Sequence, residues 1–363
     1  MKTFTVTCQH VNNYGALLQA YALQQTILDM GHENTLMRFP HKSISYAKLS
    51  LSNPKGALRS VYLNWLLFCR RKKMRALDQR FCEFHANHLQ ESRVYRSMQE
   101  FRDDEPDADC LITGSDQVWS MGGRPDWHPA FFLDFGKPEA KRISYAASME
   151  RHNRTDEQKQ RMVQWLSRFD GISLREESTR RYIEELTGRH AEWVVDPVFL
   201  LDVEKWKAIA KKPRIEKPYI LCYQVMRNDR MQEIVNRLKK LTGYPVVSIC
   251  SSQIKWIHSD ITLFDVSPEE FLGLFQNAAL VVTASFHGTA FGLTFGKPTY
   301  GLVRSSHANR IRGVLERFGL GQFCIDENSE IPSPELDAVV LADRIARERE
   351  ASLQFLKTYL ENE

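Results

Sequence analysis

Four short segments of the 363-residue chain bring together residue types that can hold an anion and move a proton. The sharpest is Leu280-Val281-Val282-Thr283-Ala284-Ser285-Phe286-His287-Gly288-Thr289. An apolar run, the pattern of a buried strand, meets small residues and then a helical stretch. The N-terminus of such a helix offers unpaired N–H groups and partial positive charge, which favour a phosphate or carboxylate. Ser285 and Thr289 can add hydroxyls, the backbone at Gly288 can contribute an N–H, and histidine is the side chain most suited to proton transfer near neutrality. His287 is therefore the first candidate acid.

The second segment is His10-Val11-Asn12-Asn13-Tyr14-Gly15-Ala16. Asn13 supplies a donor and an acceptor, and Gly15 lets the backbone approach a ligand closely. The third is Gly114-Ser115-Asp116-Gln117-Val118-Trp119, in which Asp116 can act as base toward a sugar hydroxyl. Trp119 offers a face for sugar stacking, with Gln117 beside it. The fourth is Arg175-Glu176-Glu177-Ser178, where an arginine at a strand end can grip a carboxylate or phosphate with two parallel hydrogen bonds. For each segment the plain alternative is a helix cap, a packed aromatic or a surface ion pair.

Other chemistries leave no trace. No phosphate loop of the GxxxxGK[ST] type, no GxSxG elbow and no GxGxxG fingerprint occurs, which argues against a nicotinamide-dependent oxidoreductase. No metal or cofactor is expected: His85 and His88 stand one turn apart, but the sequence sets no obvious carboxylates around them. Seven scattered cysteines, without a CxxC pair, read as reduced packing thiols of a cytoplasmic protein. A net charge of +4 suits anionic small molecules but falls short of a nucleic-acid binder's basic stripe. The start of the chain lacks a signal-peptide core, and no stretch reaches the ~18 apolar residues of a membrane span.

The elements that position these segments alternate strand and helix, the pattern of parallel α/β sheets, where ligands bind beyond the carboxyl ends of the strands. The reading is of two αβα Rossmann-like domains facing a cleft. Residues 1–215 form the first, with a helical insertion at about 44–105. Residues 216–335 form the second, and one or two amphipathic helices occupy 336–363. Ser267-Pro268-Glu269-Glu270 predicts a helix start, with a serine cap, proline at the first position and glutamate at the third.

Taken in order, the segments resemble the polysaccharide pyruvyltransferase family. The matching pieces are Asn13-Tyr14-Gly15-Ala16, Gly114-Ser115-Asp116-Gln117-Val118-Trp119, Ser173-Leu174-Arg175-Glu176-Glu177-Ser178, Val195-Asp196-Pro197, and Ser285-Phe286-His287-Gly288-Thr289-Ala290-Phe291 with Gly296-Lys297-Pro298. The resemblance covers about residues 4–320 and implies a fold similar to nucleotide-sugar glycosyltransferases of the GT-B type. It also implies transfer of pyruvate from phosphoenolpyruvate to two hydroxyls of a sugar in a surface-polysaccharide or lipid-linked precursor. The family's histidine falls on His287. Many members carry an arginine two residues before it, where this chain has Ser285; Arg175, Arg304, Arg310 and Arg312 are the candidates left to grip the donor.

Two alternatives accompany this reading. A nucleotide-sugar glycosyltransferase on the same architecture would be protected by a nucleotide sugar rather than by phosphoenolpyruvate. A non-catalytic carbohydrate-binding protein would keep the fold without the cluster at the strand ends. The stretch from Leu63 to Arg75 mixes Trp65, Leu66, Leu67 and Phe68 with a basic run, so it could touch the inner membrane face. An amphipathic core helix with a solvated basic end is the preferred reading of that stretch. The sequence is compatible with a homo-oligomer but does not fix the oligomeric state.

Overall fold

A computed structural model describes residues 1–40, 61, 64–120, 127–149, 154–225, 227–251, 255–303 and 308–361. Much of the expected helical insertion before residue 64, Leu63 included, and Arg304 lie outside the described residues.

The first sheet contains β1 (Lys2–Val6), β2 (Glu33–Arg38), β3 (Glu91–Val94), β4 (Cys110–Thr113), β5 (Lys141–Ala147), β6 (Gly171–Leu174) and β7 (Glu192–Trp193). Their spatial order is β3-β2-β1-β4-β5-β6-β7, and every pairing is parallel. The second sheet has β8 (Ile220–Tyr223), β9 (Val246–Ile249), β10 (Ile261–Leu263), β11 (Leu280–Thr283), β12 (Thr299–Leu302) and β13 (Cys324–Ile325), in the order β10-β9-β8-β11-β12-β13 and again all parallel. Strand order reverses between β1 and β4 in one sheet and between β8 and β11 in the other. Those two switch points open crevices at the carboxyl edges, the favoured ligand positions of such sheets. The central strands β4, β8 and β11 are buried along their whole length, as parallel strands covered by helices on both faces must be.

The crossover helices of the first sheet are α1 (Tyr14–Asp29), α2 (Arg71–His88), α3 (Met98–Arg102), α4 (His128–Phe131), α5 (Asp156–Leu166) and α6 (Glu177–Thr187). A 3-10 turn (Pro197–Phe199) and α7 (Val203–Ile209) lead into the second sheet. That sheet carries α8 (Met231–Thr242), α9 (Pro268–Asn277), α10 (Phe286–Thr294), α11 (Ala308–Arg317) and α12 (Ala338–Leu360). The helix start expected at Ser267 is present: Ser267 and Glu270 form a reciprocal capping box with Pro268 in the first turn.

Three features differ from the sequence reading. The 44–105 segment is not wholly helical, since Glu91–Val94 adds an edge strand beside β2. Helix α1 is not one-sided like a surface crossover helix: apart from Gln25, Leu28 and Asp29 it is buried all round. It lies between its own sheet and the second domain, where Tyr14 stacks on Phe271 at 4.4 Å and donates its hydroxyl to the Val266 carbonyl at 2.8 Å. Finally, His85 and His88 do have carboxylate partners: His85 Nδ1 lies 3.0 Å from Glu91, and His88 Nε2 lies 3.7 Å from Glu269. The two histidines engage different acids, and no group of three metal-ligating side chains forms among the described residues.

A single C-terminal helix returns to the first domain. Ser352 Oγ accepts the Val195 N–H at 3.0 Å, and Arg349 donates to the carbonyls of Phe199 and Leu201. The ring of Tyr359 packs so closely on Gly171 that a Cβ there would lie 2.5 Å from it. No described helix is long and apolar enough to cross a membrane.

Candidate active site

The N-termini of α1 and α10, one from each domain, meet between the two switch points. Asn13 caps α1, its Oδ1 accepting the N–H groups of Gly15 at 3.0 Å and Ala16 at 3.3 Å. Ser285 caps α10 by accepting the Gly288 N–H at 3.4 Å. The helices approach so closely that a Cβ on Gly15 would sit 2.1 Å from His287 Nδ1. Gly15 thus makes room for the histidine of the other domain, not directly for a ligand.

His287 is buried, and its Nε2 has no hydrogen-bond partner among the described residues. The nearest acid is Asp196, whose Oδ2 lies 3.7 Å away, beyond hydrogen-bond reach. Asp196 caps the 3-10 turn, its Oδ1 accepting the Val198 N–H at 3.0 Å. Its other oxygen accepts Ser115 Oγ–H at 2.9 Å and Arg175 Nη1–H at 2.8 Å. Burial pushes the Asp196 carboxyl up, but His287 and Arg175 outweigh it and hold it well below the usual carboxylate range. Arg175 makes the closer of those two contacts.

Arg175 is the hub. Its Nε donates to Glu176 at 3.0 Å, its Nη2 lies 3.7 Å from Asp116, and its guanidinium stands 4.2 Å over the Phe286 ring. Burial opposes its charge, yet Glu176, Asp196 and Asp116 together hold it more firmly protonated than an ordinary arginine. Two of its nitrogens are tied to carboxylates, while Nη2 is buried without a hydrogen-bond partner. Glu176 is fixed in turn by Ser148 Oγ–H at 2.9 Å, and its second oxygen is also unpartnered. Buried polar atoms are nearly always hydrogen-bonded, so three such atoms in one crevice make it the candidate place for a ligand or water to bind.

Asp116 adopts a left-handed backbone, φ 73°, a region aspartate tolerates better than most residues. Its carbonyl accepts the N–H groups of Val118 at 2.8 Å and Ser148 at 3.0 Å, which pins the turn to the end of β5. The Asp116 side chain is 17% exposed, so it is open to a ligand beside Arg175. The thiol of Cys8 is held well above its ordinary pKa, first by burial and then by the charge of Asp116, the opposite of an activated nucleophile.

The remaining candidates fall into place differently. Trp119 presents no stacking face: it is fully buried, donates its indole N–H to the Phe131 carbonyl at 3.1 Å and stacks on Phe132. Thr289 is also buried and returns its hydroxyl to the Ser285 carbonyl at 3.1 Å. Gly288 is needed for packing, because a Cβ would lie 2.2 Å from Thr283 Oγ1. Gln117 accepts from Ser120 at 3.2 Å. Asp196 and Ser115, absent from the sequence-derived set, prove central. The signal for Asp196 was an Asp-Pro pair directly after an apolar run, which also describes an ordinary turn.

A cleft of about 400 Å³ opens beside the hub, lined on one side by Arg175, Glu176, Trp193 and Asp196. Phe286, Arg310, Arg312 and Arg317 line the other. Arg317 is committed to structure: it stacks 4.2 Å over Trp193, pairs with Glu348 and donates to the carbonyls of Trp193 and Val194. Arg310 and Arg312 line the cleft from the same helix, Arg312 lying 3.4 Å from Asp326.

No curated protein matches the chain. Among solved structures, it is similar to UDP-GlcNAc 2-epimerase from Methanocaldococcus jannaschii in complex with UDP-GlcNAc and UDP. That match has a TM-score of 0.51 and 12% identity, over 99% of this chain and 100% of that one. UDP-GlcNAc 2-epimerase from Neisseria meningitidis bound to UDP-GlcNAc gives 0.50 and 10%, over 100% of both chains. At such identities the likeness is one of fold, two Rossmann-like domains in the GT-B arrangement. The family model for polysaccharide pyruvyl transferases spans residues 13–306, which takes in the N-termini of α1 and α10, the Arg175 hub and His287. The chain belongs to the polysaccharide pyruvyl transferase family and is a transferase.

Proposed function

We propose that the protein moves pyruvate from phosphoenolpyruvate onto two hydroxyls of a sugar in a surface-polysaccharide or lipid-linked precursor, forming a ketal and releasing phosphate. The observation that carries the reading is the pair of buried, unpartnered atoms contributed by the two domains, His287 Nε2 and Arg175 Nη2. One can give a proton and the other can hold an anionic oxygen at the same crevice.

In this reading His287 protonates C3 of the donor, converting the enol carbon to an oxocarbenium-like centre at C2. Asp116 takes the proton of the first sugar hydroxyl as its oxygen bonds to C2. The second hydroxyl then displaces phosphate from C2, and its proton leaves with the departing group. Arg175 orients the donor carboxylate through Nη2. Since three carboxylates already surround Arg175, the phosphate charge is met by the α10 N-terminus and by Arg310 and Arg312. Asn13 and Ser285 act by fixing the two helix ends that frame the donor. The glycan acceptor enters from the cleft.

Thermal melting with phosphoenolpyruvate, plain phosphate and UDP-sugars tests the donor. Ligand at 100 times its dissociation constant stabilises by about 2.7 kcal/mol. A shift with phosphoenolpyruvate that vanishes in Arg175→Lys, together with acceptor-dependent phosphate release lost in His287→Ala, is the expected result. The epimerases of similar fold are bound to UDP-GlcNAc, so a shift with UDP-sugars alone would replace this reading with a nucleotide-sugar transferase. A phosphoenolpyruvate shift without turnover on any diol would point to the carbohydrate-binding alternative.

A further inference from the structure

Between residues 61 and 77 the chain carries Arg70, Arg71, Lys72, Lys73 and Arg75 and no acid. Residues 64–69 are helical and run through Arg70 into α2: the Arg70 N–H bonds the Leu66 carbonyl at 3.1 Å, and the Met74 N–H bonds that of Arg70 at 3.0 Å. One face of this stretch turns inward through Leu67, Met74 and Leu77. The other leaves Trp65 60% and Phe68 53% exposed, among exposed Arg71, Lys72, Lys73 and Arg75. The Arg71 guanidinium rests 4.2 Å over the Phe68 ring. A core helix with a solvated basic end accounts for the cations but not for a second apolar face made of large aromatic residues.

The position of this surface narrows its use. Asp78, one residue beyond Leu77 in α2, accepts a hydrogen bond from Asn12 in the loop that follows β1. On the other domain, Arg70 and Lys73 lie 4.4 Å and 4.6 Å from the centre of the Phe264 ring, directly after β10. The stretch therefore bridges the carboxyl edges of both sheets, the side on which His287, Asp116 and Arg175 stand.

We propose that this rim docks on an anionic phospholipid bilayer, with Trp65 and Phe68 entering the boundary between headgroups and acyl chains and the cations meeting lipid phosphates. Charge complementarity selects the partner: cations flanking exposed aromatic residues suit an anionic interface. A two-fold contact with a second copy would instead set this acid-free cluster against itself. Docking would hold the cleft mouth at the membrane surface, and the inference does not depend on which donor or sugar the site takes.

The test is co-sedimentation of the full chain with phosphatidylcholine vesicles, with and without about one-third phosphatidylglycerol, at about 0.15 M salt. Binding to the anionic vesicles only is expected. Trp65→Ala with Phe68→Ala, and separately Lys72→Glu with Arg75→Glu, should each lower partitioning at least about tenfold while circular dichroism shows the fold retained. Absence of binding, equal binding to neutral vesicles, binding untouched by both pairs of substitutions, or a dimer in solution that either pair dissolves would each overturn the proposal.

Discussion

His287 and Gly15 come from opposite domains and share one small volume, so under the proposed function chemistry and packing are coupled at a single contact. His287→Ala is expected to lower turnover by about 10²–10⁴-fold, the range of a lost general acid, with little change in melting temperature. Gly15→Ala should also slow turnover, by displacing the imidazole, and should destabilise by about 1–3 kcal/mol because a Cβ overlaps the ring. Steady-state kinetics beside melting curves separates the two effects. Asp196 gives a pH prediction. Its carboxyl lies below the ordinary range in the folded protein, so its stabilising effect is present at neutral pH and fades as pH falls from about 4. Asp196→Asn should therefore destabilise by about 3 kcal/mol at pH 7, and the gap from the parent in urea melts should narrow below pH 4. That His287, Arg175 and Asp116 come close together was legible in the sequence, because residues at the ends of parallel strands face the crevice. Trp119 was misread because an aromatic next to such a loop looks the same in sequence whether it faces sugar or core. The tight fit of Gly15 on His287 joins residues far apart in the chain, and no local pattern encodes it.

At the level of elements, legibility followed burial. The strands β4, β8 and β11 are uninterrupted apolar runs, and the cap at Ser267 is written in consecutive residues. The edge strand β3, Glu-Ser-Arg-Val, has neither alternation nor an apolar run, and it exists because β2 offers it an open edge. Strands β10 and β13 are three and two residues long, too short to carry a period. Ser267→Ala is expected to cost about 1 kcal/mol by opening the α9 capping box. Because Tyr14 packs on Phe271 of that helix and bonds the preceding Val266 carbonyl, the loss should also loosen the joint between domains. Hydrogen exchange across α1 and α9 would show that loosening as faster exchange in both helices.

For the whole molecule, the α12 return determines how the two sheets respond to stress. Arg349 ties it to the segment connecting them through the carbonyls of Phe199 and Leu201 and through Asp202. Arg349→Ala is expected to cost about 2 kcal/mol and to split a single denaturation transition into two, seen as non-coincident circular dichroism and fluorescence curves.

The same helix affects how the chain is made. The first sheet leaves the ribosome long before Ser352 and Tyr359, the residues that satisfy Val195 and pack on Gly171, have been translated. Through synthesis of the entire second sheet, the flank of β5 to β7 therefore remains unsealed. Slow translation or premature termination would expose that flank to holdase chaperones and proteases, so truncated products of this gene should be cleared rather than persist as a half-sized protein.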